Sequence, residues 1–168
     1  MHQLYCFQFP YSERLNQSLQ VDVLKTDNKV IVGWREWVSL PQLGIERIKA
    51  KVDTGARTSC LHTFAIEEFR HNNQQWLRFW VHPIQANTDV VVQCESRVID
   101  QRLVRDSGGH ETQRYIIRTE LVAGNSSFPI EMTLTPRDNM RFRMLIGRTA
   151  LHSRMIVDPG KSFLLSKE

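Results

Sequence analysis

Residues 48–62 read Ile-Lys-Ala-Lys-Val-Asp-Thr-Gly-Ala-Arg-Thr-Ser-Cys-Leu-His, and Val52-Asp53-Thr54-Gly55-Ala56 is the part that decides the fold. Ile48, Ala50 and Val52 alternate with Lys49 and Lys51, the period of a strand with one face buried. The strand runs straight into an acid, a hydroxyl and a glycine. A strand tip holds a carboxylate rigidly. Thr54 offers a hydroxyl to lock the turn, and Gly55 lets the backbone approach something closely. Asp53 is therefore a candidate acid/base, and it needs a second carboxylate to work as a pair.

Outward from this stretch the chain reads as strands. Residues 1–28 are polar and weakly patterned and form an arm or peripheral segment; the domain proper covers 29–168. Val30-Ile31-Val32 leads into Gly33-Trp34-Arg35-Glu36-Trp37-Val38, and Pro41 and Gly44 break the run. Thr58–Leu61 suits a short strand, and residues 63–70 a short helical turn capped by Thr63. Leu77, Phe79 and Val81 alternate with Trp76, Arg78, Trp80 and His82, and Val90-Val91-Val92 reads as a further strand. Two alternating runs, 97–105 and 111–122, flank Asp106-Ser107-Gly108-Gly109-His110, whose glycine pair marks a hairpin. Strands follow at 128–134, 142–146, 155–157 and 162–165, with a short helix at 149–153. Many short strands and one or two short helices predict an all-β fold, a small closed or sandwich-like domain.

The chain has 168 residues, enough for one domain with a substantial core. No segment approaches the roughly 18 apolar residues of a membrane span, and the N-terminus lacks the pattern of a secretory signal. Cys6, Cys60 and Cys94 are scattered and odd in number, so a reducing, cytoplasmic compartment is expected. The net charge is +4, and 16 of the 22 basic residues are Arg, the side chain that grips carboxylates and phosphates with two prongs. A mildly basic solvated face or an anionic partner would both account for this. Aromatics and arginines interleave at 76–80 and 141–143, but the charge is small and no nucleic-acid motif is present, so none is expected as a partner.

About 90 residues after Asp53 comes Met144-Leu145-Ile146-Gly147-Arg148-Thr149-Ala150-Leu151. Together with the Asp-Thr-Gly loop and the glycine-tipped hairpin between them, this resembles the retropepsin-like aspartic proteases. The wording of 33–38, 51–59 and 145–148 is similar to one bacterial branch, associated with glutamate-adding ATP-grasp ligases and long labelled "ATP-dependent zinc protease". The resemblance implies a barrel of the acid-protease type. It makes Asp53 catalytic, with Thr54, Gly55 and Ala56 supporting its loop. Ile146, Gly147 and Arg148 belong to a strand crossing behind that loop, and Ser107, Gly108 and Gly109 to a mobile flap. Two carboxylates about 3 Å apart cannot both ionise, so one serves as base while the other serves as acid. One chain with one such site implies a C2 homodimer with Asp53 of each copy at the axis. Asp106 also precedes a hydroxyl and a glycine, but its polar surroundings fit a flap tip better than a second catalytic acid.

The chain departs from the retroviral pattern at Arg57. Retroviral enzymes carry an Asp there, paired with the arginine of the Gly-Arg segment; Arg57 and Arg148 would repel. Arg57 at the cleft would favour a substrate carboxylate, which implies an acidic, glutamate-rich chain as substrate. The alternative is that Arg57 pairs with an acid to hold the fold. Zinc is not expected: there is no HExxH or CxxC, and His62, His71, His82, His110 and His152 are scattered. His62 and His152 each follow a key motif and could approach one another, but structural roles suit them better. Nor is there a P-loop for ATP. Cys60 reads as core rather than as a Cys/His nucleophile, since strand neighbours point to opposite or offset faces. Beside the peptidase stand two other classes: a non-catalytic module that holds acidic tails, and a zinc-dependent peptidase.

Overall fold

The computed structural model describes residues 29–105, 109–136 and 140–165; the arm at 1–28 and the flap-tip residues Ser107 and Gly108 lie outside these. The described chain is all-β. In order it forms β1 (Val30–Gly33), β2 (Arg35–Leu40), a 3-10 turn (Pro41–Leu43), β3 (Ile45–Val52), β4 (Ser59–Thr63), β5 (Ala65–His71) and β6 (Gln74–Val81). There follow β7 (Val92–Arg105), β8 (Glu111–Ala123), β9 (Ser126–Pro136), β10 (Met144–Ile146), α1 (Arg148–Leu151) and β11 (Met155–Asp158). The main sheet has the order β2-β3-β10-β4-β9-β8-β7-β6-β5, and a β2–β8 pairing at Ser39 and Val122 closes its first six strands into a ring. β1 and β11 pair in parallel as a separate ribbon.

The ring encloses the core. Ile48, Ala50 and Val52 of β3 point inward, together with Leu121 of β8 and Ile130, Met132 and Leu134 of β9. Leu77, Phe79 and Val81 of β6 are fully buried while Trp76, Arg78 and Trp80 are only partly so, as their alternation predicts. Each such apolar side chain contributes about 1.5–3 kcal/mol by leaving water.

Three segments differ from their sequence reading. Residues 63–70 are not helical: β5 pairs with β6 from Ala65↔Trp80 to His71↔Gln74. The turn between them is Asn72-Asn73, with φ of 50° and 58°. Two successive left-handed residues make the hairpin turn whose twist matches its strands, and asparagine tolerates that conformation. Val90 and Val91 precede the strand and are exposed; only Val92 joins β7. Residues 162–165 pair with nothing as a strand, because Phe163 takes φ 56° and bends the tail.

That tail is held by a buried acid. Glu36, 1% exposed, accepts hydrogen bonds from the amides of Gly33 (2.6 Å), Leu164 (3.0 Å) and Leu165 (3.2 Å). Gly33 itself passes so close to the tail that a Cβ would sit 2.4 Å from the Lys161 carbonyl oxygen. One carboxylate thus fastens the start of the domain to its end. Glu36→Ala leaves three amides without that acceptor and should lower unfolding stability by about 3 kcal/mol or more in urea titrations, with Glu36→Gln losing less.

Candidate active site

The Asp53 loop is shaped by the strand that passes behind it. β10 lies between β3 and β4, parallel to the first (Ile146↔Val52) and antiparallel to the second (Leu145↔Cys60). The two strands that flank residues 53–58 are therefore joined through β10. The Asp53 amide donates to the Ile146 carbonyl at 2.9 Å, which extends the ladder into the acid itself. Where β10 ends, Gly147 packs on the returning loop: a Cβ there would lie 2.5 Å from the Thr58 carbonyl carbon and 2.8 Å from the Ser59 nitrogen. Only a residue without a side chain fits. The Gly147 amide donates to the buried Ser59 hydroxyl at 3.1 Å, and Thr133 Oγ1 donates to the Ser59 carbonyl at 3.1 Å.

Within the loop, Asp53 is half-buried, and its Oδ1 accepts the amides of Gly55 (3.0 Å) and Ala56 (3.1 Å). A Cβ on Gly55 would stand 3.2 Å from that same oxygen, which explains the glycine. Asp53 Oδ2 has no hydrogen-bond partner among the described residues. One oxygen is clamped by the backbone and the other is left to act. Thr54 is exposed, and its carbonyl, rather than its hydroxyl, braces the loop.

The brace is Arg148. Its Nη1 donates to the carbonyls of Thr54 (2.9 Å) and Gly55 (2.8 Å), and its amide donates to Ala56 O at 2.9 Å. The arginine of the Gly-Arg segment thus caps loop carbonyls and needs no acid at position 57. The Thr149 amide holds the Arg57 carbonyl at 3.0 Å, while the Arg57 side chain is exposed and bonds to no carboxylate among the described residues. A fold-holding ion pair at Arg57 is thereby absent from the described chain.

The hairpin of β7 and β8 runs in register to Arg105↔Glu111, where Arg105 Nε donates to Glu111 Oε1 at 2.9 Å. Gly109 has φ 84° and open space around it. Leu103, 64% exposed, shows that this end stands clear of the core. Lower down, Arg102 joins Asp100 (2.6 Å) to Glu131 (2.9 Å) and holds the Asp100 carboxyl below the usual carboxylate range.

Among the described residues no three His, Cys, Asp or Glu side chains cluster as metal ligands. Cys60 and His62, two apart on β4, share a face after all. The Cys60 sulfur nevertheless lies 3.1 Å from Thr135 Oγ1, in the core as read. Burial pushes the Cys94 thiol up to about 12, so it stays protonated. Sequence reading missed Ser59 and Glu36 as organising polar groups. Ser59 stood within the diagnostic stretch; Glu36 carried no local signal.

Comparison with known proteins converges on this region. The model of the RimB-like family, described as retropepsin-like aspartic endopeptidase RimB, matches residues 31–168. A probable alpha-L-glutamate ligase of Parasynechococcus marenigrum is 51% identical over 137 residues, 82% of this chain and 29% of that protein. A probable alpha-L-glutamate ligase of Shewanella pealeana is 42% identical over 143 residues, 85% of this chain and 31% of that protein. The chain thus spans under a third of the length of these relatives. A crystal structure of a Legionella pneumophila protein of unknown function superposes with TM-score 0.69 at 24% identity, covering 82% of this chain and 98% of that one, and shares the fold. Gly147→Ala should lower Tm by roughly 10 °C, since backbone on both sides cannot yield, whereas Arg148→Ala, losing two exposed hydrogen bonds, should cost only about a third of that in the same thermal melts.

Proposed function

Because the chain belongs to the RimB-like family of retropepsin-like aspartic endopeptidases, we propose that it hydrolyses peptide bonds with Asp53 as its catalytic acid/base. The observation that carries the reading is the Asp53 carboxylate, pinned through one oxygen by two backbone amides and without a partner among the described residues at the other. The second carboxylate comes from Asp53 of another copy across a twofold axis. The two share a proton, because like charges at that spacing cannot both ionise. The ionised Asp53 takes a proton from water, and the oxygen of that water attacks the peptide carbonyl. The protonated Asp53 gives a hydrogen bond and then its proton to the carbonyl oxygen. Collapse of the tetrahedral intermediate breaks the C–N bond: the amine takes the proton held by one Asp53, and a hydroxyl of the intermediate returns its proton to the other, which leaves the carboxylic acid product and a dyad with one proton again. Ser107, Gly108 and Gly109 form the lid over the bound chain, and the enzyme is a cytoplasmic homodimer that uses no metal or other cofactor.

The substrate is an acidic, glutamate-rich chain. Two observations support this: Arg57 stands exposed beside the Asp53 loop with no acid partner among the described residues, and the region matched in the relatives belongs to proteins named as glutamate ligases.

Asp53→Asn should abolish peptide hydrolysis, by on the order of 10⁴-fold in kcat, with substrate binding retained. Unchanged behaviour would instead indicate a non-catalytic module for acidic tails. Activity that survives Asp53→Asn and disappears with a chelator would indicate a zinc peptidase. Arg57→Ala should raise KM for glutamate-rich peptides by roughly tenfold, the worth of one charged hydrogen bond, and leave KM for neutral peptides nearly unchanged. Equal effects on both would overturn the acidic specificity.

A further inference from the structure

The outer face of β2 and β3 carries an arrangement that the peptidase reading does not use. Starting beside the acid loop, the Arg35 guanidinium lies 4.6 Å from the Trp34 ring and 4.8 Å from the Phe163 ring. The Lys49 ammonium lies 5.3 Å from Phe163 and 4.7 Å from Trp37, and the Arg47 guanidinium 4.1 Å from Trp37. Six side chains therefore alternate: Trp34, Arg35, Phe163, Lys49, Trp37, Arg47. Lys51 lies on the same strand face and pairs in register with Arg35. The ladder points to the acid loop, since the Trp34 carbonyl accepts the amide of Val52, the neighbour of Asp53, at 2.9 Å.

None of Arg35, Arg47, Lys49 or Lys51 forms an ion pair among the described residues. Glu46 is exposed next to Arg47 and pairs with none of them; Glu36 faces inward, bonded to backbone amides. Four like charges on two adjacent strands repel, and the rings on which they rest offset only part of that. An anionic chain would relieve the rest. We propose that this face is a second binding site, which holds an extended acidic peptide by its carboxylates.

Spacing and stacking select that occupant. Along β3, Lys49 and Lys51 stand about 6.6 Å apart, and Arg47, at the bulge opposite Ser39, is carried onto the same face over Trp37. Alternate side chains of an extended polyglutamate segment repeat at the same interval. A single-stranded nucleic acid would need open ring faces for its bases. Here Trp37 is covered by Arg47 and Lys49 and stacked on Phe163, with centroids 6.0 Å apart. The rings position cations and leave their outer N–H groups for carboxylates. The track would feed acidic chain toward Asp53; that purpose rests on the acidic-substrate reading, whereas the binding does not.

Fluorescent oligo-α-glutamate binding to the Asp53→Asn full chain, followed by anisotropy at low and physiological salt, tests the site. Arg47→Gln with Lys49→Gln should weaken binding roughly tenfold and flatten its salt dependence, with Tm within a few degrees of the parent. Equal affinity in parent and double variant would overturn the proposal. So would oligouridylate of matched length binding more tightly than the peptide, which would mark a nucleic-acid surface. If the double variant unfolds, Lys51→Gln decides: its ammonium packs on no ring among the described residues, and it should still weaken binding about threefold; an unchanged Kd would overturn the site. Because turnover plays no part, a chain without peptidase activity can still bind, and an active peptidase can still fail here.

Discussion

Everything about the Asp53 site depends on one crossing. Strand β10 lies between β3 and β4, and Gly147 at its end rests directly on the backbone of Thr58 and Ser59. A loop whose two flanking strands were hydrogen-bonded to each other would be a hairpin, free to hinge at its tip. Separating those strands with a third converts the tip into a shelf supported from behind. The Asp53 amide is part of that support, and its carboxylate oxygen is clamped by the next amides in the chain. Rigidity at the acid thus comes first from ladder geometry, to which the Arg148 side chain adds its hold on the Thr54 and Gly55 carbonyls, and preorganisation of a reacting group requires such support.

The proposed mechanism takes only one of its two carboxylates from each chain. The clamp on Oδ1 uses both nearby amides, and Oδ2 meets no second carboxylate among the described residues. On the proposed mechanism the deficiency is informative: a carboxylate left open at one oxygen can be paired by a copy of itself without breaking any bond the loop already makes. Charge repulsion between the two is relieved by one shared proton. The same logic assigns the arginines. Arg148 satisfies loop carbonyls, so the chain needs no acid beside it to keep the loop folded, and the cation at position 57 is released from structural duty.

Much of this was legible in the sequence where the signal was local. The alternation of β3 and β6 and the pairing of β7 with β8 express themselves within a few residues, whereas the Leu-Ile-Gly-Arg crossing was readable only through the family resemblance. The misreadings came where a short pattern suited two structures. Ile66 and Phe69 have helical spacing, and only the Asn72-Asn73 turn, read together with β6, shows that they belong to a hairpin. Other features were invisible because their partners are remote. Glu36 meets Leu164 across 128 residues, and no property of Gly-Trp-Arg-Glu-Trp-Val tells that its acid is inside while its arginine lies on an aromatic face. Strand parity gives opposite faces; it does not say which one is wet.

That parity also explains why the acid and the cation ladder occur together. Along β2 the inward position is taken by Glu36, which holds the tail, and the outward positions by Arg35 and Trp37, on whose side Phe163 lands. Fastening Leu164 and Leu165 to Glu36 places the preceding Phe163 over the sheet, and its bent backbone turns the ring onto Arg35 and Lys49. The ladder is thus completed by the same tail that closes the fold. Loosening the Glu36 anchor would take from Arg35 and Lys49 the ring they share, leaving Arg35 on Trp34 alone and Lys49 on Trp37 alone. A buried carboxylate on one face of β2 therefore helps to set the order of the charges on the other, and the binding proposed for that surface would be coupled to the stability of the domain.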